Sequence, residues 1–282
     1  MNESPERSNE TGDPWPAPFA PDELAGRICL VTGAARGLGA SFAETLGRHG
    51  ATVVVTDIDL PGAKDCASTL VASGIEATAL ELDVSDTAAI DDVVASIERD
   101  IGTVGILINN AGLCVVRPSV EVSDAEWDLH QKVMLTGPFK LARRVAPGMQ
   151  QLGRGSIVNI CSISAFGGWP QRAAYSAAKA GLKSLTEVLA VEWAITGVRV
   201  NGLAPAVTRT EMTDDVVAGS SGSISLRDFE GRTPMARLGE TAEMADAALF
   251  LASDRAALIT GQIVPVDGGW LASDGFPTAG AL

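Results

Sequence analysis

Seven short apolar runs, separated mostly by stretches long enough for a helix, constrain this chain more than any other feature. They read RICLVT (27–32), ATVVVTD (51–57), EATALELD (76–83), VGILINN (104–110), GSIVNIC (155–161), GVRVNGLAP (197–205) and GQIVPVD (261–267). Strands that are apolar almost without interruption belong to a sheet covered on both faces. Alternation with helical segments builds βαβ units, whose crossovers are right-handed. The expected fold class is therefore α/β, a doubly wound seven-stranded parallel sheet with helices on both faces. The segment 172–197 reads as one helix, because Leu182, Leu185, Val188, Leu189 and Trp193 recur at helical spacing and Gly197 supplies a stop.

The domain is expected over 25–270, and its length suits a single α/β unit. Residues 1–24 are polar, Pro-rich and aperiodic, as in a disordered or loosely docked tail, although Trp15 and Phe19 could dock on a surface. A Gly/Ser-rich segment at 207–235 and an extension at 271–282 complete the chain.

A formal charge of -14 argues against nucleic acid and anionic membranes, both of which need a basic face. No apolar run is long enough to span a bilayer, and the acidic start does not read as a signal peptide. Cys29, Cys66, Cys114 and Cys161 have no C-x-x-C spacing, and His49 and His130 are the only histidines, so no metal site is expected. Buried thiols in a reducing cytoplasm are the expectation for Cys29 and Cys161.

VTGAARGLG (31–39) follows the first strand and opens a helix. Gly33, Gly37 and Gly39 permit a tight turn. The backbone of Arg36, Leu38 and their neighbours can then approach a pyrophosphate at a helix N-terminus. An ordinary tight turn would use the same glycines. Asp57 ends the second run, 24 residues after Gly33, where a carboxylate accepts bonds from ribose hydroxyls and repels a 2′-phosphate. NAD is favoured over NADP on that ground, while Arg36 argues the other way. Asp83 and Val84 end the third run, where they could meet the adenine. Asn110, Ala111 and Gly112 end the fourth, at the edge where such sheets bind ligands.

Tyr175 is the only tyrosine, and Lys179 follows it on the same helical face. A phenol is a sluggish acid or base at neutral pH, and a nearby ammonium lowers its pKa. Ser162, in CSIS, lies thirteen residues upstream at a strand end and could bond the same substrate oxygen.

With these motifs in this order, the chain from about 25 to 270 resembles the short-chain dehydrogenase/reductase family. The matches are T-G-x-x-x-G-x-G at 32–39, Asp57, N-N-A-G at 109–112, Ser162, Y-x-x-x-K at 175–179, VRVNGLAP at 198–205 and GQIVPVDGG at 261–269. The resemblance implies a Rossmann-like homotetramer that interconverts an alcohol and a ketone with NAD(P). It gives Ser162 the substrate oxygen, Tyr175 the proton, and Lys179 both the tyrosine pKa and the ribose. It places Val207 and Thr210 near the carboxamide and a lid at 207–235. Leu113, Ser164, Trp169 and Gln171 would line the substrate pocket with Ser162 and Tyr175. Trp169 and Leu113 suggest an apolar, cyclic secondary alcohol, though core packing explains them almost as well. Two departures stand out. Met134 occupies the place of an asparagine that supports a proton relay, and Ala206 stands where glycine is usual. They motivate an alternative, an NAD-binding protein with weak or no redox activity and a structural or regulatory role.

Overall fold

The computed structural model describes residues 19–219 and 225–273. Residues 1–18 of the expected tail, 220–224 of the expected lid and 274–282 of the expected extension lie outside the described residues.

The seven expected strands form one parallel sheet. They are β1 (Ile28–Thr32), β2 (Thr52–Asp57), β3 (Ala77–Glu81), β4 (Val104–Asn109), β5 (Gly155–Ile160), β6 (Val198–Pro205) and β7 (Ile263–Val266). Their spatial order is β3-β2-β1-β4-β5-β6-β7. Connections run one way from β1 through β3 and the other way from β4 onward. The reversal between β1 and β4 opens a crevice beyond the carboxyl ends of the strands.

Period-two geometry sends alternate side chains to opposite faces. Cys29, Val31, Val53, Val55, Ile106 and Ile108 enter one core. The helices packed there are α1 (Gly37–Arg48), α2 (Leu60–Ala72) and α9 (Thr241–Ala252). Leu30, Val54, Val104 and Leu107 enter the opposite core, covered by α3 (Thr87–Asp100), α5 (Gly137–Gln151) and α6 (Ala173–Trp193). Each fully buried Leu, Ile or Val contributes about 1.5–3 kcal/mol, so register is fixed from both sides. α4 (Asp124–Gln131) joins α5 through a π-turn, Lys132–Thr136, while α7 (Glu211–Gly219) and α8 (Leu226–Arg232) lie in the expected lid.

Helix ends follow their caps. Asp59 accepts the Gly62 N–H at the start of α2, Asp86 accepts the Ala88 N–H at α3, and Ser123 forms a capping box with Glu126 at α4. α6 ends at Trp193, and a short 3-10 turn carries the chain to Gly197. Two arginines close the C-terminus of α9. Arg27 donates to Ala252 O, and Arg199 donates to Leu251 O and Ser253 O.

Two expectations change. The packed body begins before residue 25, because Leu24 is fully buried and the Phe19 ring meets His49 edge-on under Arg255. Phe19 docks as its apolar side chain allows, while the polar composition around Leu24 hid that anchor. Ala206 avoids positive φ and donates its N–H to Val266 O, so no glycine is needed there.

Candidate active site

The β1–α1 turn is built for close approach. A methyl group on Gly39 would sit 2.1 Å from Gly33 O, and Gly37 adopts φ +59°. The N-cap of α1, Arg36, offers no side-chain cap, unlike those of α2, α3 and α4. Its first-turn N–H groups therefore face the crevice with the positive end of the helix dipole. The N-N-A-G loop is tied to this turn. Thr32 Oγ1 accepts the N–H groups of Asn110 and Ala111 at 3.0 and 3.1 Å, and Asn110 Nδ2 donates to Thr32 O and Gly33 O. The T-G start of the motif marks Thr32, and its bonds give it the part of tying the loop to the turn.

Asp57 ends β2 beside the turn. One carboxylate oxygen accepts the Ala35 N–H and the other the Asp59 N–H, both at 3.0 Å. Arg36 is largely exposed and paired with Glu211 at 3.0 Å and Asp59 at 3.8 Å. Two carboxylates thus already engage a guanidinium that could meet a 2′-phosphate. Asp83 accepts the Ser85 N–H at 2.8 Å, whereas Val84 is buried in the core with Leu82. The cradle, the open helix end and the strand-end acid fit a dinucleotide.

The chemical end lies across the crevice. Ser162 Oγ accepts both the N–H of Ser164 at 3.1 Å and its hydroxyl at 3.0 Å. With both lone pairs filled, its own proton is left to donate. Ser164, expected against substrate, thus orients Ser162. The Ser162 hydroxyl favours the charged form of Tyr175, against the effect of burial. Lys179 is 4% exposed and donates to Ile160 O at 2.6 Å, with Nζ 5.7 Å from the Tyr175 ring centre.

Charges in this pocket follow burial. Desolvation pushes Tyr175 up to about 12 and Lys179 down to about 8. The expected lowering of Tyr175 by Lys179 is not found: Ser162 and Arg172 favour its charged form, and burial outweighs them. A chain with one tyrosine offers a direct check. Tyrosinate absorbance of the cofactor-free protein should stay absent up to pH 10 while it remains folded. Ionisation below about pH 9 would mean that the lysine charge dominates.

Met134 is fully buried in the π-turn, and a methyl on Gly112 would lie 3.4 Å from its sulfur. It packs against the N-N-A-G loop and offers that loop only a weak acceptor. Trp169, expected to line the pocket, stacks on Trp270 at 5.3 Å and packs by Phe229. Leu113 is half-buried, as is Gln171, which adopts φ +63°. Val207 joins the Trp169–Trp270 cluster, and Thr210 lines a cleft with Thr213, Leu226 and Leu238.

A family model described as "Enoyl-(Acyl carrier protein) reductase" matches residues 33–271. The chain belongs to the short-chain dehydrogenase/reductase family. It is 40% identical to gluconate 5-dehydrogenase of Gluconobacter oxydans (strain 621H), over 87% of this chain and 95% of that one. It is 39% identical to trans-4-hydroxycyclohexanecarboxylate dehydrogenase of Sinomonas cyclohexanicum, over 88% and 94%. Among solved structures it is similar to a gluconate 5-dehydrogenase from Burkholderia cenocepacia J2315 in complex with NADP and tartrate. The TM-score is 0.84 at 33% identity, covering 89% of this chain and 98% of that one. This short-chain dehydrogenase/reductase is an NAD(P)-dependent oxidoreductase that acts on CH–OH groups.

Among the described residues, this dehydrogenase has no group of three or more His, Cys, Asp or Glu able to hold a metal ion. No described helix is long and apolar enough to cross a membrane.

Proposed function

We propose that this dehydrogenase interconverts a secondary alcohol and its ketone with NAD, and that Tyr175 carries the proton. The convergence of Ser162, Tyr175 and Lys179 supports the reading. A nicotinamide cofactor held by the Gly33–Gly39 turn, Asp57 and Lys179 would supply the hydride chemistry at the carbinol carbon. In the reduction direction Tyr175, uncharged, gives its proton to the developing alkoxide, and in the oxidation direction the ionised phenol takes the proton from the alcohol. Ser162 donates to the same oxygen and fixes its place. Lys179 and the Asp57-edged cradle hold the ribose hydroxyls at opposite ends of the cofactor.

NAD is preferred because Asp57, Asp59 and Glu211 ring the site and Arg36 is already paired. The relative solved with NADP makes this the point to test. NADP should give a kcat/KM about 100-fold below that of NAD. Asp57→Ser should raise NADP use about tenfold or more and weaken NAD. Equal use of both cofactors by the wild type would reverse the assignment.

Gluconate at C5 and 4-hydroxycyclohexanecarboxylate each present a secondary hydroxyl, which agrees with the substrate class. A cyclic alcohol remains the proposed shape, although Trp169 serves mainly to pack. We read Met134 as replacing the relay asparagine, so that the polar path ends at Lys179 and Ile160 O. The proposed assembly is a cytoplasmic homotetramer. Val188, Val191 and Ile195 leave apolar surface along the end of α6 that a subunit contact would cover.

A further inference from the structure

Arg172 is the residue that the proposed chemistry leaves unexplained. It is 9% exposed and sits at the N-cap of α6, three residues before Tyr175. Among the described residues its guanidinium meets no carboxylate and no hydrogen-bond acceptor. Its contact is the Trp169 ring, 5.0 Å away. Arg27, buried as deeply, bonds Ala252 O and Asp254. Arg199, partly buried, bonds the carbonyls that end α9.

Three physical costs meet at Arg172. A buried charge without a partner is unfavourable. The N-terminus of α6 carries partial positive charge and no acidic residue in its first turn. The peptide before it is held at positive φ on a non-glycine residue, Gln171. The position is nonetheless firmly built. Gln171 O accepts the Arg117 N–H at 2.9 Å, and Trp169 under the guanidinium is stacked on Trp270.

Its stretch of chain is free of acids. No Asp or Glu occurs between Asp128 and Glu187, a span that contains Lys132, Lys140, Arg172, Lys179 and Lys183. The charge of Arg172 reaches Tyr175 and Cys114, which places it at the substrate side of the crevice. A protein of net charge -14 repels anions at long range, but screening confines that field to about 8 Å at physiological salt. The charge of Arg172, close to the site, then weighs more than the net charge.

We infer that Arg172 anchors a carboxylate on the substrate, so that the enzyme acts on hydroxy acids and their keto counterparts. The inference rests on the proposed site and names the class of molecule that enters it. Carboxylate geometry matches the planar guanidinium fork, which offers two parallel N–H donors. Arg172 lies one helical turn before Tyr175, so the carboxylate would sit several bonds from the reacting carbon. It is a specificity residue and takes no part in proton transfer.

The test uses probes that cannot be oxidised. Cyclohexanecarboxylate and cyclohexanecarboxamide are titrated calorimetrically into the full-length protein with NAD. Wild type should bind the acid at least tenfold more tightly than the amide. Arg172→Met should bring the two within about twofold. Arg172→Lys should keep an intermediate preference, and both variants should melt cooperatively, with Arg172→Met no less stable than wild type. Equal binding of acid and amide by wild type, or no measurable binding of the acid, overturns the inference. So does a preference that survives in Arg172→Met, or inorganic phosphate binding as tightly as the acid. Neither probe is turned over, so failed hydride transfer leaves this result standing. Loss of carboxylate preference leaves turnover of neutral alcohols standing in turn.

Discussion

Replacing Tyr175 with phenylalanine should lower kcat by at least about 10³-fold, about 4 kcal/mol of transition-state stabilisation. The change deletes one oxygen from a chain that has no second tyrosine to take its place. Ser162 cannot substitute, because a serine hydroxyl is far too weak an acid and its lone pairs are filled by Ser164. Lys179 is the one group nearby that titrates close to neutrality, and it is turned to Ile160 O. Steady-state rates on a secondary alcohol with NAD give the answer, with cofactor binding followed separately by tryptophan fluorescence. Binding within about threefold of wild type, together with the rate loss, assigns the phenol to proton transfer. Residual turnover above a tenth of wild type would move that role to another group.

How far the sequence went follows from what each residue was asked to reveal. The seven strands were legible because parallel strands are buried on both faces and leave continuous apolar runs. Each observed strand begins or ends within two residues of its expected bounds. The cradle and Asp57 were legible because backbone approach needs glycine and a strand end fixes position. Burial was not. Spacing puts Lys179 beside Tyr175, but only the packing around both tells that desolvation governs each of them. Trp169 could line a pocket or pack, and its partner Trp270 is about a hundred residues away in the chain. Arg172 resembles any basic residue near a helix start until the fold removes it from water without an acid. Pairwise fields between chain-distant groups carry no local signature. They are where a sequence reading stops.

Lys179→Met should make the protein more stable at pH 7 and nearly inactive. Burial holds Lys179 down to about 8 against an ordinary 10.5. Between about pH 8 and pH 10.5 the unfolded chain therefore binds more protons than the folded one, and stability rises with pH. Below pH 8 the folded state bears the whole cost of the buried charge. At about 1.4 kcal/mol per pH unit, that cost is about 3 kcal/mol. Methionine removes the charge and leaves Ile160 O without its donor, a loss of about 1–2 kcal/mol. The net gain is about 1–2 kcal/mol, or about 2–6 °C in Tm for a chain of this size. Tyr175 works in the opposite sense. Its pKa, raised from 10.0 to about 12, makes stability fall across that window in both proteins. The rise between pH 8 and 10 should therefore vanish in the variant, while the fall above pH 10 remains. Activity should drop at least about 100-fold, because the ribose and the phenol both lose their cation. Thermal melts from pH 7 to 10.5, set beside turnover rates, separate the two effects. A variant less stable than wild type at pH 7 would mean that Lys179 is held by interactions stronger than its burial. A site that keeps a lysine at such a cost is maintained for its chemistry.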